Sequence, residues 1–75
     1  MQFGKITIDS EGYVMIPIFI GGACLDHYEF DSRSIKTVGD RDFGLMLLRQ
    51  KTKWFTPELE HDFIEASDYI LANPL

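Results

Sequence analysis

The sequence predicts an α+β fold, in which an antiparallel β-meander of three to five strands carries one C-terminal helix packed on one face. Two observations favour this class. Residues 13–20 form a run of eight apolar side chains rich in β-branched and aromatic types, which is typical of a strand. Residues 57–72 repeat their apolar side chains three or four positions apart, which is typical of a helix with one buried face. The 75 residues are expected to form a single domain, 1–75.

The first two predicted strands form a hairpin. Alternation along residues 3–8 places Ile6 and Ile8 on one face of the first strand, with polar residues on the other. Residues 9–12 read Asp-Ser-Glu-Gly, which is turn chemistry because the glycine tolerates a positive φ. Residues 13–20 then return as the second strand, and the short connection predicts antiparallel pairing.

The second strand is apolar on both faces, which is unusual for so short a chain. One face would carry Val14, Ile16, Ile18 and Ile20, and the other Tyr13, Met15, Pro17 and Phe19. The single clear helix can cover only one of these faces, so a second copy or a different protein is expected on the other. We therefore predict Tyr13, Met15 and Phe19 as partner-binding residues. Pro17 lacks an N–H, which indicates that at least one side of this strand is a sheet edge.

The middle of the chain has a weaker pattern. Residues 24–30 are predicted as a third strand, and residues 35–38 as a short fourth one. Residues 39–44 are predicted as a loop, with Phe43 turned into the core. Residues 45–50 contain good helix formers but are few and follow a glycine; we predict a strand there, and a short helix is the alternative.

The C-terminal helix has the clearest signals. Thr56 is a good N-cap, and Pro57 fits the first helical position. Asn73 and Pro74 end the pattern, so a helix is predicted from about residue 57 to 72. Its core-facing side chains are predicted to be Leu59, Phe63, Ala66 and Ile70.

The net charge of −5 comes from this helix segment. Residues 1–56 carry equal numbers of acidic and basic side chains, whereas residues 57–75 contain five acidic residues and no lysine or arginine. Such a segment argues against direct binding of nucleic acid. Two interpretations remain open, a solvated face or a negative ridge that binds a basic surface of a protein partner, such as a nucleic-acid-binding groove. The ridge would consist of Glu58, Asp62, Glu65 and Asp68.

No motif indicates catalysis, a metal or a cofactor. Cys24 and His27 have C-x-x-H spacing, but a zinc site needs four ligands, and strand alternation would place these two residues on opposite faces. Cys24 is instead predicted to be a small buried side chain. Asp42-Phe43-Gly44 spells the magnesium triplet of protein kinases without the other kinase motifs. We therefore predict no catalytic and no metal-binding residue, no cofactor and no enzyme activity.

These observations predict a small acidic protein-binding module. One cysteine, no signal-like N-terminal segment and no apolar run of about 20 residues predict a soluble cytoplasmic protein without membrane association, in the host cytoplasm if it is encoded by a phage. The expected role is an inhibitor that occupies a surface of a larger macromolecular machine, as anti-defence and immunity proteins do. The alternative is a homodimeric structural or assembly subunit that uses its apolar sheet face. A small enzyme or metal protein is the weaker alternative.

Overall fold

The computed structural model describes residues 1–74, which form a four-stranded antiparallel sheet with two helices on one face. The strands pair in chain order, β1-β2-β3-β4, and a single 3-10 turn follows β4. The elements are β1 (Gln2–Phe3), β2 (Ile6–Ile8), β3 (Tyr13–Ile20), β4 (Ala23–Asp31), α1 (Val38–Lys51) and α2 (Pro57–Ala72). The predicted α+β class and antiparallel meander are thus confirmed, but the prediction of one helix is wrong because there are two.

The predicted β2–β3 hairpin is present, and its side chains alternate as expected. Thr7 pairs with Met15 and Ile8 with Val14. The inward positions of both strands are buried in one apolar cluster with side chains of both helices, which places the helices on this face. The inward-facing members are Ile6, Ile8, Val14 and Ile16. Ile18 is buried as well.

Pro17 lies where β3 has a neighbour on one side only. β2 pairs with β3 at Val14 and Met15, and it begins only at Ile6. No strand therefore lies beside Pro17 on that side, and the missing N–H of the proline removes no hydrogen bond of the sheet there. On the other side, Pro17 pairs with His27 of β4. The sequence expectation that Pro17 marks a one-sided edge agrees with this register.

The turn between β1 and β2 corrects the prediction of one continuous strand over residues 3–8. Gly4 has φ 59°, in the left-handed region that glycine tolerates best. The Lys5 N–H donates to the Asp62 carboxylate of α2 at 3.2 Å, and a Cβ on Gly4 would overlap that carboxylate. The chain must therefore turn at Gly4 to bring α2 against the sheet edge.

Helix α1 replaces three predicted segments, and all three predictions are wrong. The strands predicted over residues 35–38 and 45–50 and the loop over residues 39–44 are not formed, because residues 38–51 are one helix. The helix that was the alternative for residues 45–50 is present, as part of this longer one. Its start is fixed by a capping box. The Thr37 hydroxyl accepts from the Asp40 N–H at 3.1 Å, and the Asp40 carboxylate accepts from the Thr37 N–H at 3.1 Å.

The capping carboxylate gives the fold a pH dependence. The backbone N–H of Lys36, followed by that of Thr37, holds the pKa of the Asp40 carboxyl below its usual range. Since the folded-state pKa is the lower one, the stabilisation is complete above the unfolded value of about 3.9 and is lost as the pH falls through the folded value. We expect Asp40→Asn to be less stable than wild type at pH 7, and the difference should shrink below about pH 4. Urea denaturation of both proteins at the two pH values measures it, and an unchanged difference would contradict this role.

Helix α2 matches its prediction. It spans Pro57–Ala72, and the Thr56 hydroxyl accepts from the Leu59 N–H at 3.2 Å as an N-cap. All four predicted core residues of α2 are buried. The Phe63 ring lies 5.7 Å from the Phe30 ring of β4, centroid to centroid, and both border Gly44 of α1. This contact joins the two helices and the sheet.

Candidate protein interface

The face of the sheet opposite the helices carries a continuous apolar row. Its four side chains belong to β3 and alternate with the buried ones, so all four point away from the helices. Each is partly exposed, because only neighbouring strands shield it. We call this row, formed by Tyr13, Met15, Pro17 and Phe19, the open-face row.

Polar side chains border the open-face row on both sides. On the β2 side, the Lys5 ammonium lies 4.7 Å from the centre of the Phe19 ring, a cation–π contact. On the β4 side, Glu29 pairs with Met15 and His27 with Pro17. An apolar centre with a polar rim is the usual composition of a protein–protein interface.

A β-bulge changes the expected position of Cys24. The register shifts between Ile18 and Phe19, so that Phe19 pairs with Cys24 while Pro17 pairs with His27. Cys24 and His27 therefore share the open face, whereas simple alternation had placed them on opposite faces. The cysteine is exposed and not buried as predicted. Its Sγ contacts the Asp26 carbonyl at 3.5 Å.

The predicted acidic ridge on α2 is divided by contacts within the fold. Asp62 accepts from the Lys5 backbone N–H, and its side chain is mostly buried against the β1–β2 turn. Asp68 forms an ion pair with Arg41 of α1 at 3.0 Å. These two carboxylates therefore stabilise the contacts of α2 with its neighbours and are less available to a partner than the sequence suggested.

Glu58 and Glu65 are exposed and lie outside these two contacts, whereas Asp68 is exposed but paired with Arg41. Glu65 lies 3.5 Å from the His61 imidazole, and donor atoms of His61, Asp62 and Glu65 all lie within 4.8 Å of one another. The sequence analysis did not single out this cluster, although its spacing over one helical turn was readable. Exposed acidic groups of this kind are common without an ion, so the cluster by itself defines no metal site.

The two predicted partner-binding groups lie on different elements and approach each other at the β1–β2 turn, where Lys5 contacts both Asp62 and Phe19. Tyr13, Met15 and Phe19 lie in one row on the open face of the sheet. Glu65 lies on the side of α2 opposite its buried residues, and therefore away from the sheet. Of the two groups, the open-face row is the continuous one.

Two arginine–acid pairs elsewhere hold elements in place. The Arg33 guanidinium donates to Asp31 at 2.8 Å and thereby lowers the pKa of that carboxyl. Glu60 of α2 accepts from Arg49 of α1 and raises the pKa of the arginine. These pairs are exposed, so each stabilises the fold only slightly.

Helix α1 presents apolar side chains that the sequence analysis missed. Phe43 was predicted to lie in the core, but 57% of it is exposed, and Met46 on the next turn is exposed as well. These positions were missed because residues 39–44 were predicted as a loop, and only a helix defines which of its side chains face the core and which face solvent.

Within residues 1–74, neither helix is long and apolar enough to cross a membrane. Comparison of the chain with models of protein families, with curated proteins and with solved structures gave no match.

Proposed function

We propose that this chain is a protein-binding module whose partner covers the open face of the sheet. The observation that carries the proposal is the open-face row, four apolar side chains in line on a face from which both helices are absent. Contiguous exposed apolar surface bordered by polar groups marks interaction sites more often than chance. The partner would bury Tyr13, Met15 and Phe19.

The partner we propose is a different protein with a basic surface. The chain has a net charge of −5, and Glu29 lies beside the row without an ion pair among residues 1–74. Long-range attraction of this sign speeds encounter with a basic surface. Small size, acidic charge and an apolar docking face support the role of an inhibitor that occupies a site on a larger assembly, of the anti-defence or immunity type.

A second candidate is a homodimeric subunit, and one observation favours it. His27 and Glu29 both face the open side, two residues apart. If two copies packed face to face with antiparallel strands, each Glu29 would approach the His27 of the second copy, while the two open-face rows bury each other. Molecular mass in solution separates the candidates, since a monomer at high concentration favours a different partner.

Met15→Lys is expected to abolish association while leaving the fold intact. In the free protein the lysine stem can lie along the open face with its ammonium in water, so the free energy of unfolding should change by less than about 1 kcal/mol. In a complex the same ammonium would be buried without a partner, which is strongly unfavourable. Urea denaturation measures the first effect, and sedimentation with the copurifying partner or with the protein alone measures the second.

Met46→Lys on α1 is the matched control, because the same chemical change is made at another exposed methionine. It should leave both stability and association near their wild-type values. A Met15→Lys protein that folds well and associates like wild type would remove the open face as the binding site.

A further inference from the structure

The outer edge of β4 is the long free edge of the sheet. β4 spans nine residues and pairs with β3 on one side, and no strand within residues 1–74 pairs with its other side. The bulge leaves Leu25 without a cross-strand partner, so the strand is regular only over residues 26–31. Bulges protect a sheet edge from pairing, which confines any added strand to this regular part.

Alternate residues of this part point their hydrogen-bonding groups outwards. The His27 N–H donates to the Asp26 carboxylate at 2.8 Å, so Glu29 is the residue of this part whose outward groups form no other bond within residues 1–74. The Ser32 N–H donates to the Gly12 carbonyl across the hairpin at 2.9 Å, and hydrogen-bonded pairs follow at every second residue of an antiparallel ladder. Glu29 therefore directs its N–H and C=O to the free edge. The Asp31 carbonyl also points away from β3. It accepts from the Ser34 hydroxyl at 2.7 Å, which lies outside the β3–β4 ladder.

An apolar groove lies between β4 and α1 on the helix side of the sheet. Its volume is about 350 Å³, and Phe43 lies on it with more than half of its surface exposed. Side chains of an added strand alternate between the two faces of the sheet, so every second one would reach this groove. Its apolar lining consists of Phe30, Ile35, Phe43, Leu47 and Phe63.

The charge of the edge selects the kind of segment that fits. β4 contains three acidic residues and no lysine or arginine. Asp31 is paired with Arg33, whereas Asp26 and Glu29 form no ion pair among residues 1–74. An added strand would therefore gain from basic side chains on the face shared with Glu29.

We propose that β4 accepts an extended segment of a partner protein as a fifth, antiparallel strand. Alternate apolar side chains of the segment occupy the groove between β4 and α1, and the intervening basic side chains lie beside Glu29. In such strand addition the backbone bonds supply affinity and the pockets for alternate side chains supply specificity. The site shares Glu29 with the rim of the open-face row but none of the four residues of the row, and it goes beyond the proposed function.

The test uses the full chain and a synthetic peptide of about eight alternating leucines and lysines, blocked at both ends and carrying a fluorophore. Two isomers of the peptide carry N-methyl groups on the two central lysines or on the two central leucines. In an antiparallel pair, directly opposite residues lie on the same face of the sheet. The peptide lysines that lie on the face of Glu29 therefore also direct their backbone N–H groups at β4, whereas the leucines direct theirs away from it. Fluorescence anisotropy should therefore show affinity at least about tenfold weaker for the lysine-methylated isomer, and near-parent affinity for the leucine-methylated one.

Two variants locate the bound peptide. Phe43→Ala removes an apolar side chain of the groove and should weaken binding about tenfold. Phe19→Ser lies on the open face away from Glu29 and should leave peptide affinity unchanged, so failure of this proposal is distinguishable from failure of the proposed function. Replacing the lysines of the peptide with glutamates should abolish binding.

Three results of the peptide-binding experiments would overturn strand addition. They are no binding of the parent peptide, equal affinity of the two methylated isomers, and loss of binding in Phe19→Ser. Hydrogen exchange of the Glu29 amide should be fast in the protein alone at every concentration. Protection that grows with protein concentration would show that a second copy occupies this edge, and would also overturn the proposal.

Discussion

Replacing Phe63 by alanine is expected to lower the free energy of unfolding by about 3–5 kcal/mol. The Phe63 side chain is 0% exposed, and its ring packs on Phe30 at the point where α1, α2 and the sheet meet. Truncation there removes the transfer free energy of the ring and leaves a cavity that three elements would have to close. A domain of this size has only about 3–5 kcal/mol of stability from its core, so much of the variant should be unfolded without denaturant.

Phe43→Ala provides the matched control for this prediction. The chemical change is identical, but 57% of Phe43 is exposed. Its cost should stay below about 0.5 kcal/mol, because alanine also has the higher helix propensity. Urea denaturation of both variants under one condition gives the comparison. Equal destabilisation by the two substitutions would show that α2 does not pack as described.

Gly4→Ala is expected to cost about 2–3 kcal/mol, the second large effect. An alanine at φ 59° is strained by about 1–2 kcal/mol. Its Cβ would also displace the Asp62 carboxylate from the Lys5 N–H, which loosens the contact of α2 with the β1–β2 turn. The effect should appear as a lower urea midpoint with an unchanged slope.

Gly21→Ala separates the two causes. Gly21 has φ 62°, close to that of Gly4, but open space surrounds the position of its Cβ. It should therefore show the backbone strain alone, about 1–2 kcal/mol. In an Asp62→Ala background, Gly4→Ala should fall to the same value. A Gly4→Ala cost no larger than that of Gly21→Ala in the wild-type background would remove Asp62 from the account.

The elements that local chemistry specifies were predictable from the sequence. Alternation placed Ile6 and Val14 inward, and the Thr56 cap with Pro57 located the start of α2. Helix α1 was missed because Gly39 and Gly44 resemble loop residues. The Thr37 capping box could have been recognised in the sequence. The reason for a glycine at position 44 could not, because it is the close contact with Phe63 across the core.

The surface was predicted less well, because it depends on register and on neighbours far along the chain. Nothing in the sequence around Leu25 indicates the bulge that brings Cys24 and His27 to one face. The pairing of Asp68 with Arg41 spans 27 residues and could not be inferred from helix periodicity. The open-face row could be predicted from alternation alone, because one face of β3 had to form the core and the other face therefore carries the row.

Site-specific photo-crosslinking tests the proposed covering of the open face most directly. A photoreactive amino acid is placed at position 15 of the full chain, and at position 61 on the exposed side of α2 as the control, in the cells that produce the protein. Covalent adducts of a defined mass are expected from position 15 and not from position 61, because the open-face row is the surface that a partner covers. Adducts from position 61 alone, or none from position 15, would contradict the proposed interface.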